Sequence, residues 1–157
     1  MDRTPAQALA LAALRVTLGL LLVWWGLAKI TNAGMGVSVS NKFYLGLFSD
    51  KDLQFWFGWA QLAVGGCVAL GLMKKFAVPA QLVITGGSSL AIWNALLDPF
   101  ALWLPVEKVA PVQHLFYPSA IALAGAAAMI AFRKQDVYSL DHLLDLRKAL
   151  PKTMPAE

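Results

Sequence analysis

One cysteine, two histidines and nine acidic residues are all that these 157 residues offer to redox, metal or acid–base chemistry. The lone Cys67 can make no internal disulfide, which excludes a dithiol relay within the chain, and it reads as a small packing residue. His114 and His142 are expected at opposite ends of the fold, too far apart to share a haem iron. No Cys, His or carboxylate spacing marks a metal site. Nucleophile elbows and phosphate loops are missing as well. Catalysis by this chain alone is not expected. Charge is scarce too: 14% of residues are charged against 59% hydrophobic. The net charge of +4 comes from basic residues that flank apolar runs rather than form a stripe, so nucleic acid is not an expected partner.

What fills the chain is apolar sequence in four runs, roughly 6–30, 53–73, 76–97 and 112–132, each of 21 to 25 residues. A helix needs about 20 apolar residues to cross a bilayer core of about 30 Å. These runs are apolar nearly all round, where a soluble domain of this size would show polar faces at helical period. The predicted fold is all-α: a four-transmembrane-helix bundle over residues 1–132, followed by a cytoplasmic amphipathic segment over 133–157. Membrane lipid is then the first partner. The opening run is too long for a cleavable signal and carries Arg15 within it, so it is expected to remain. Lys/Arg bias sets orientation. Arg3, Arg15, Lys74, Lys75, Arg133, Lys134, Arg147, Lys148 and Lys152 make nine on one side, against Lys29, Lys42, Lys51 and Lys108, four, on the other. Both termini are therefore expected in the cytoplasm.

Spans two and three form a tight hairpin through Lys74 and Lys75. Pro79 is expected in the first turn of span three, where a missing N–H costs least, and Pro118 predicts a kink in span four. Pro99, Pro105 and Pro111 punctuate the connection between spans three and four. In the loop over 31–52, Gly34, Gly36, Ser38 and Ser40 favour irregular chain, whereas the aromatic stretch Phe43–Phe48 is expected in the interface or over the mouth of the bundle. Small residues let membrane helices approach closely. Ala120, Ala124 and Ala128, Ala122 and Ala126, Gly65 and Gly66, and Gly86, Gly87 and Ala91 are read as such packing positions.

Polar residues inside the runs are few. Arg15, Gly19, Leu22, Gly26 and Lys29 form one helical stripe. Arg15, about 13 Å into its helix, either snorkels to the inner headgroups or finds a partner. Asp136 and Asp141, just beyond the last span, are the expected partners. At the outer end Lys29, Asn94, Asp98 and His114 fall at one level, and all six tryptophans, Trp24, Trp25, Trp56, Trp59, Trp93 and Trp103, lie in the outer half. Two readings stand. One is a ligand pocket formed by Trp24, Trp25, Lys29, Trp93, Asn94, Asp98 and His114, suited to a flat head such as a quinone. The other is a wet interface with a one-sided anchoring belt. In the tail, Ser139 is placed as an N-cap with Asp141 in the following turn, and Val137, Leu140, Leu143, Leu144 and Leu150 give an apolar face.

The opening span, with Arg15, Gly19-Leu20 and Trp25-Gly26-Leu27-Ala28-Lys29, resembles that of the DoxX-like family of small bacterial membrane proteins. Gly65-Gly66 and Leu70-Gly71-Leu72 are similar to its glycine-rich second helix, and Tyr138-Ser139-Leu140-Asp141 to the Ser-Leu-Asp element after its last span. The chain departs from the family at Gln61, near a place often held by glutamate, and at Lys134-Gln135-Asp136, where a Gly-x-Gly element is common. The resemblance implies a four-helix protein of the bacterial inner membrane, associated with redox work at the quinone level. Its expected role is an integral subunit of a redox complex, giving anchorage and an outer quinone pocket, with a quinone as the implied non-covalent ligand and a redox subunit as partner. The alternative is a non-enzymatic scaffold that recruits a partner protein. A transporter ranks last, because no titratable group falls at a span midplane.

Overall fold

The computed structural model describes residues 5–91, 93 and 110–149, and of 110–117, 119 and 120 the backbone alone. All regular structure among them is helical: α1 (Pro5–Thr31), α2 (Ala33–Phe43), α3 (Lys51–Leu70), α4 (Lys74–Ala91), α5 (Ala110–Ala131), a short 3-10 turn (Arg133–Gln135) and α6 (Leu140–Ala149). Among the described residues, α1 and α3 are long and apolar enough to cross a membrane.

The closest helix pair is α1 with α3, and glycine makes it so. A Cβ on Gly19 would sit 2.5 Å from the Gly65 carbonyl oxygen, and one on Gly65 would sit 2.7 Å from that of Gly19. Two turns along, Gly26 and Gly58 repeat the arrangement at 2.6 and 2.9 Å. Two glycines seven apart on each antiparallel helix thus bring the backbones into contact. Gly66 and Gly87, expected to act similarly, have nothing within 4 Å of a built Cβ, and Gly86 has only Leu123 at 3.5 Å. They lie on faces that no backbone among the described residues approaches. Along α5, Ala122 and Ala126 are buried, Ala128 is half-buried and Ala124 is exposed. The core joins Leu18, Val68, Ala77, Val78, Ala122 and Met129.

Three local expectations need correction. The loop after α1 is not irregular at its start but forms α2, because the Asn32 side chain accepts from the Met35 N–H and caps it, while Ser38 donates to the Gly34 carbonyl. Helix α3 stops at Gly71, whose φ of +71° closes a left-handed cap with its N–H on the Cys67 and Val68 carbonyls. Helix α4 then starts at Lys74, which places Pro79 beyond the first turn, inside the helix.

Candidate functional site

At the Arg15 level the bundle holds a buried charge network. The Arg15 guanidinium donates to Asp136 Oδ2 at 3.2 Å and to the Tyr138 carbonyl at 2.7 Å. Lys74 Nζ donates to the same Asp136 Oδ2 at 3.3 Å, to the Asp136 carbonyl at 3.1 Å and to Ser139 Oγ at 2.7 Å. Of the two carboxylates expected for Arg15, the structure brings it Asp136. Asp141 serves elsewhere: its two oxygens accept from the backbone N–H groups of Met73 and Lys74, at 3.0 and 2.9 Å. It thereby caps the start of α4 from 67 residues away. Ser139 Oγ also accepts from the His142 N–H at 3.4 Å, the N-cap position for α6. Tyr138-Ser139-Leu140-Asp141 thus binds α1 through the Tyr138 carbonyl and the start of α4 through Ser139 and Asp141, which both meet Lys74. Arg15 Nε is buried without a partner among the described residues. The network is a clasp, not an open site.

At the Lys29 level a cavity of about 280 Å³ lies between α1, α3 and α4, with α2 and the turn after it forming part of its wall. Trp25 and Lys29 line it from α1, Gln54, Phe57 and Gln61 from α3, Gly87 and Ser88 from α4, and Tyr44 and Phe48 from the turn. Lys29 Nζ stands 5.9 Å from the Trp25 ring centroid and 5.6 Å from that of Phe57, within cation–π range of both. Phe48 stacks on Phe57 at 6.2 Å with the rings nearly parallel. The turn is fixed by polar bonds: Phe48 N–H to Ser40 Oγ at 2.9 Å, Gln54 Nε2 to the Phe48 carbonyl at 2.7 Å, and Tyr44 O–H to Ser88 Oγ at 3.1 Å. Burial raises the Tyr44 pKa above its ordinary value, with the bond to Ser88 acting in the other direction. A Cβ on Gly36 would run into the Gln54 side chain, which would have to shift to make room.

Of the residues read from the sequence as an outer pocket, Trp25 and Lys29 line this cavity. Trp24 and Trp93 are 72% and 51% exposed, and Trp24 does not line it. Asn94, Asp98 and Trp103 lie outside the described residues, as does the His114 side chain. The lining amides were not singled out as pocket residues, although a signal was there. Gln54 and Gln61 stand seven apart in an apolar helix, hence on one face, and an amide inside such a run is costly unless it has a task. Among the described residues, no three His, Cys, Asp or Glu side chains gather as metal ligands. No protein-family profile, curated protein or solved structure matches the chain.

Proposed function

We propose that this chain is an integral membrane subunit of a bacterial redox complex, with four spans, both termini in the cytoplasm and a quinone-type ligand in the cavity at the Lys29 level. The observation that carries the reading is the cavity itself. It is walled by aromatic rings and aliphatic side chains, holds a cation between two rings, and has Tyr44, Ser88, Gln54 and Gln61 as its polar lining. Ligand sites for flat, lipid-soluble molecules are built this way, apolar with a few placed polar groups. Support for the membrane setting comes from α1 and α3, which are long and apolar enough to cross a bilayer and leave Leu20, Trp24, Trp56 and Trp59 exposed. In water such surface would be unfavourable over so many side chains. Helices α4 and α5 supply the other two spans of this reading, and the resemblance of the opening helix and the Ser-Leu-Asp element to DoxX-like proteins supplies the redox context.

The experiment is purification from native membranes in a mild detergent, followed by identification of stoichiometric partners and of extractable lipid-soluble ligands. A redox subunit and a quinone are the expected findings. A partner without redox cofactors, together with no ligand, would replace this reading by a scaffold. The scaffold reading has its own support in Leu45, Leu47 and Leu143, which are 94%, 74% and 56% exposed outside the long helices.

A further inference from the structure

Lys29 is the one charged residue on the described wall of the cavity, and no described residue balances it. It is half-buried, and its described interactions are with the Trp25 and Phe57 rings. Both described ion pairs lie in the clasp, where Asp136 serves Arg15 and Lys74. The acidic residues at the start of α3 do not reach Lys29. Asp50 caps that helix by accepting from the Leu53 N–H at 2.8 Å, and Asp52 is exposed. Three of the neutral polar groups on the wall are already committed: Tyr44 O–H to Ser88 Oγ, Ser88 O–H to the Ile84 carbonyl, and Gln54 Nε2 to the Phe48 carbonyl. Ring faces offset only part of what a cation loses when it leaves water. An ammonium placed against an apolar space is therefore short of a counter-charge.

We infer that the cavity takes an anionic ligand, a flat apolar molecule whose ionised oxygen becomes the counter-ion of Lys29. This rests on the ligand-cavity reading above and adds the charge of the ligand. Among quinone-type molecules it selects those with an acidic ring hydroxyl over neutral rings of the same shape. A neutral quinone oxygen can accept from the ammonium, but the net positive charge then stays in the wall. An ionised oxygen cancels that charge, and a hydrogen bond between charged groups is roughly twice as strong as a neutral one. Weak screening beside apolar side chains strengthens the pair further. No acidic side chain on the described wall repels an anion, and Trp25, Phe48 and Phe57 offer faces for its flat body.

The test compares an alkylated hydroxynaphthoquinone, an acid ionised at neutral pH, with its O-methyl ether, which has the same ring and no charge. Each is titrated into the full-length protein in nanodiscs of zwitterionic lipid, with empty nanodiscs as the blank. The anion should bind at least about tenfold more tightly than the ether, as one charge-assisted hydrogen bond implies. Lys29→Met should remove that advantage and leave the ether nearly unaffected, whereas Lys29→Arg should keep it. Gly87→Leu should abolish binding of both, since it projects into the cavity from a position where a Cβ meets nothing within 4 Å. Asp98, which the sequence sets at this level, lies outside the described residues, and Asp98→Asn should leave the preference unchanged. A preference seen only in Asp98→Asn would make Asp98 the counter-ion and overturn the proposal. If Lys29 merely complements the C-terminal end of α1, where it occupies the last turn, anion and ether bind alike. That result, or an equal effect of Lys29→Met on both, overturns the anionic ligand but leaves the cavity as a ligand site. If wild-type protein binds neither, or if Gly87→Leu binds both as wild type does, the ligand-cavity reading falls as well. Should Lys29→Met not fold, the wild-type comparison decides alone.

Discussion

Replacing Asp136 with asparagine removes the single anion that Arg15 and Lys74 share. The Asp136 side chain is 0% exposed, and those of Arg15 and Lys74 are 5% and 9% exposed. Both cations lie within 3.3 Å of the same oxygen. They are therefore no more than roughly 6.5 Å apart, which at an effective dielectric near 20 means a mutual repulsion of about 2.5 kcal/mol. In the wild type the carboxylate more than offsets that term; in Asp136→Asn nothing does. Removing one partner of a buried ion pair costs about 3–5 kcal/mol, and the retained bonds of Lys74 to Ser139 and to the residue-136 carbonyl place the expectation near about 3 kcal/mol. The assay is equilibrium unfolding in mixed micelles, by titrating SDS into dodecyl maltoside. A double-mutant cycle gives the decisive figure: Arg15→Met should cost at least about 1.5 kcal/mol less in the Asp136→Asn background than in the wild type, because it then relieves a repulsion. Equal costs in both backgrounds, or a loss below about 1 kcal/mol for Asp136→Asn, would refute the shared-anion argument.

Gly71→Ala should destabilise by more than about 2 kcal/mol, since the added Cβ meets Arg15 Nη1 and Ser139 at a φ of +71°; near-wild-type unfolding would show that the cap can rearrange. Gly65→Ala should be strongly destabilising, with its Cβ 2.7 Å from the Gly19 carbonyl oxygen, whereas Gly66→Ala next to it should stabilise by up to about 1 kcal/mol; the same unfolding titration separates them. For topology, single cysteines at the exposed positions Ser38 and Lys148, in a Cys67→Ala background, should react differently with an impermeant thiol reagent on intact cells. Ser38→Cys should be labelled and Lys148→Cys protected, and the reverse pattern rejects cytoplasmic termini.

Helix placement was legible because long apolar runs leave little choice of conformation. The cores of α1, α3, α4 and α5 fall where hydropathy places them, with ends set by features hydropathy does not weigh. The end of α3 depends on the left-handed backbone of Gly71, and the start of α4 on a carboxylate that arrives 67 residues later. Which glycines pack was legible only in part. Gly65 and Gly66 are chemically identical neighbours, yet helical geometry turns one toward α1 and the other away, and only the partner helix decides which. The pairing of Arg15 with a residue beyond the last span could be read from scarcity, since no other carboxylate was near. The cavity could not be read so easily. Its wall draws two to four residues from each of five segments, and its amides carry no charge to draw attention.

The clasp and the cavity differ in a way that bears on function. In the clasp, strong charges are matched against one another and against backbone groups, while Arg15 Nε and the neighbouring Gln135 Oε1 are buried without a described partner. Such a network holds a segment in place and gains nothing from a ligand. In the cavity one cation, Lys29, lies against two aromatic rings, and the other polar lining is neutral amides and hydroxyls, individually weaker. A core optimised for stability alone would replace Gln61 by leucine, because an unmet buried carbonyl opposes folding. Gln61 shares this condition with Gln54, Gln81 and Gln135, whose oxygens are buried without a described donor, so unmet glutamine carbonyls are a feature of the described bundle rather than a mark of the cavity. Gln61→Leu should then stabilise the protein by about 1 kcal/mol or more in the same SDS titration. A destabilised Gln61→Leu protein would mean that the amide has a structural partner and is there for packing rather than tolerated at a cost.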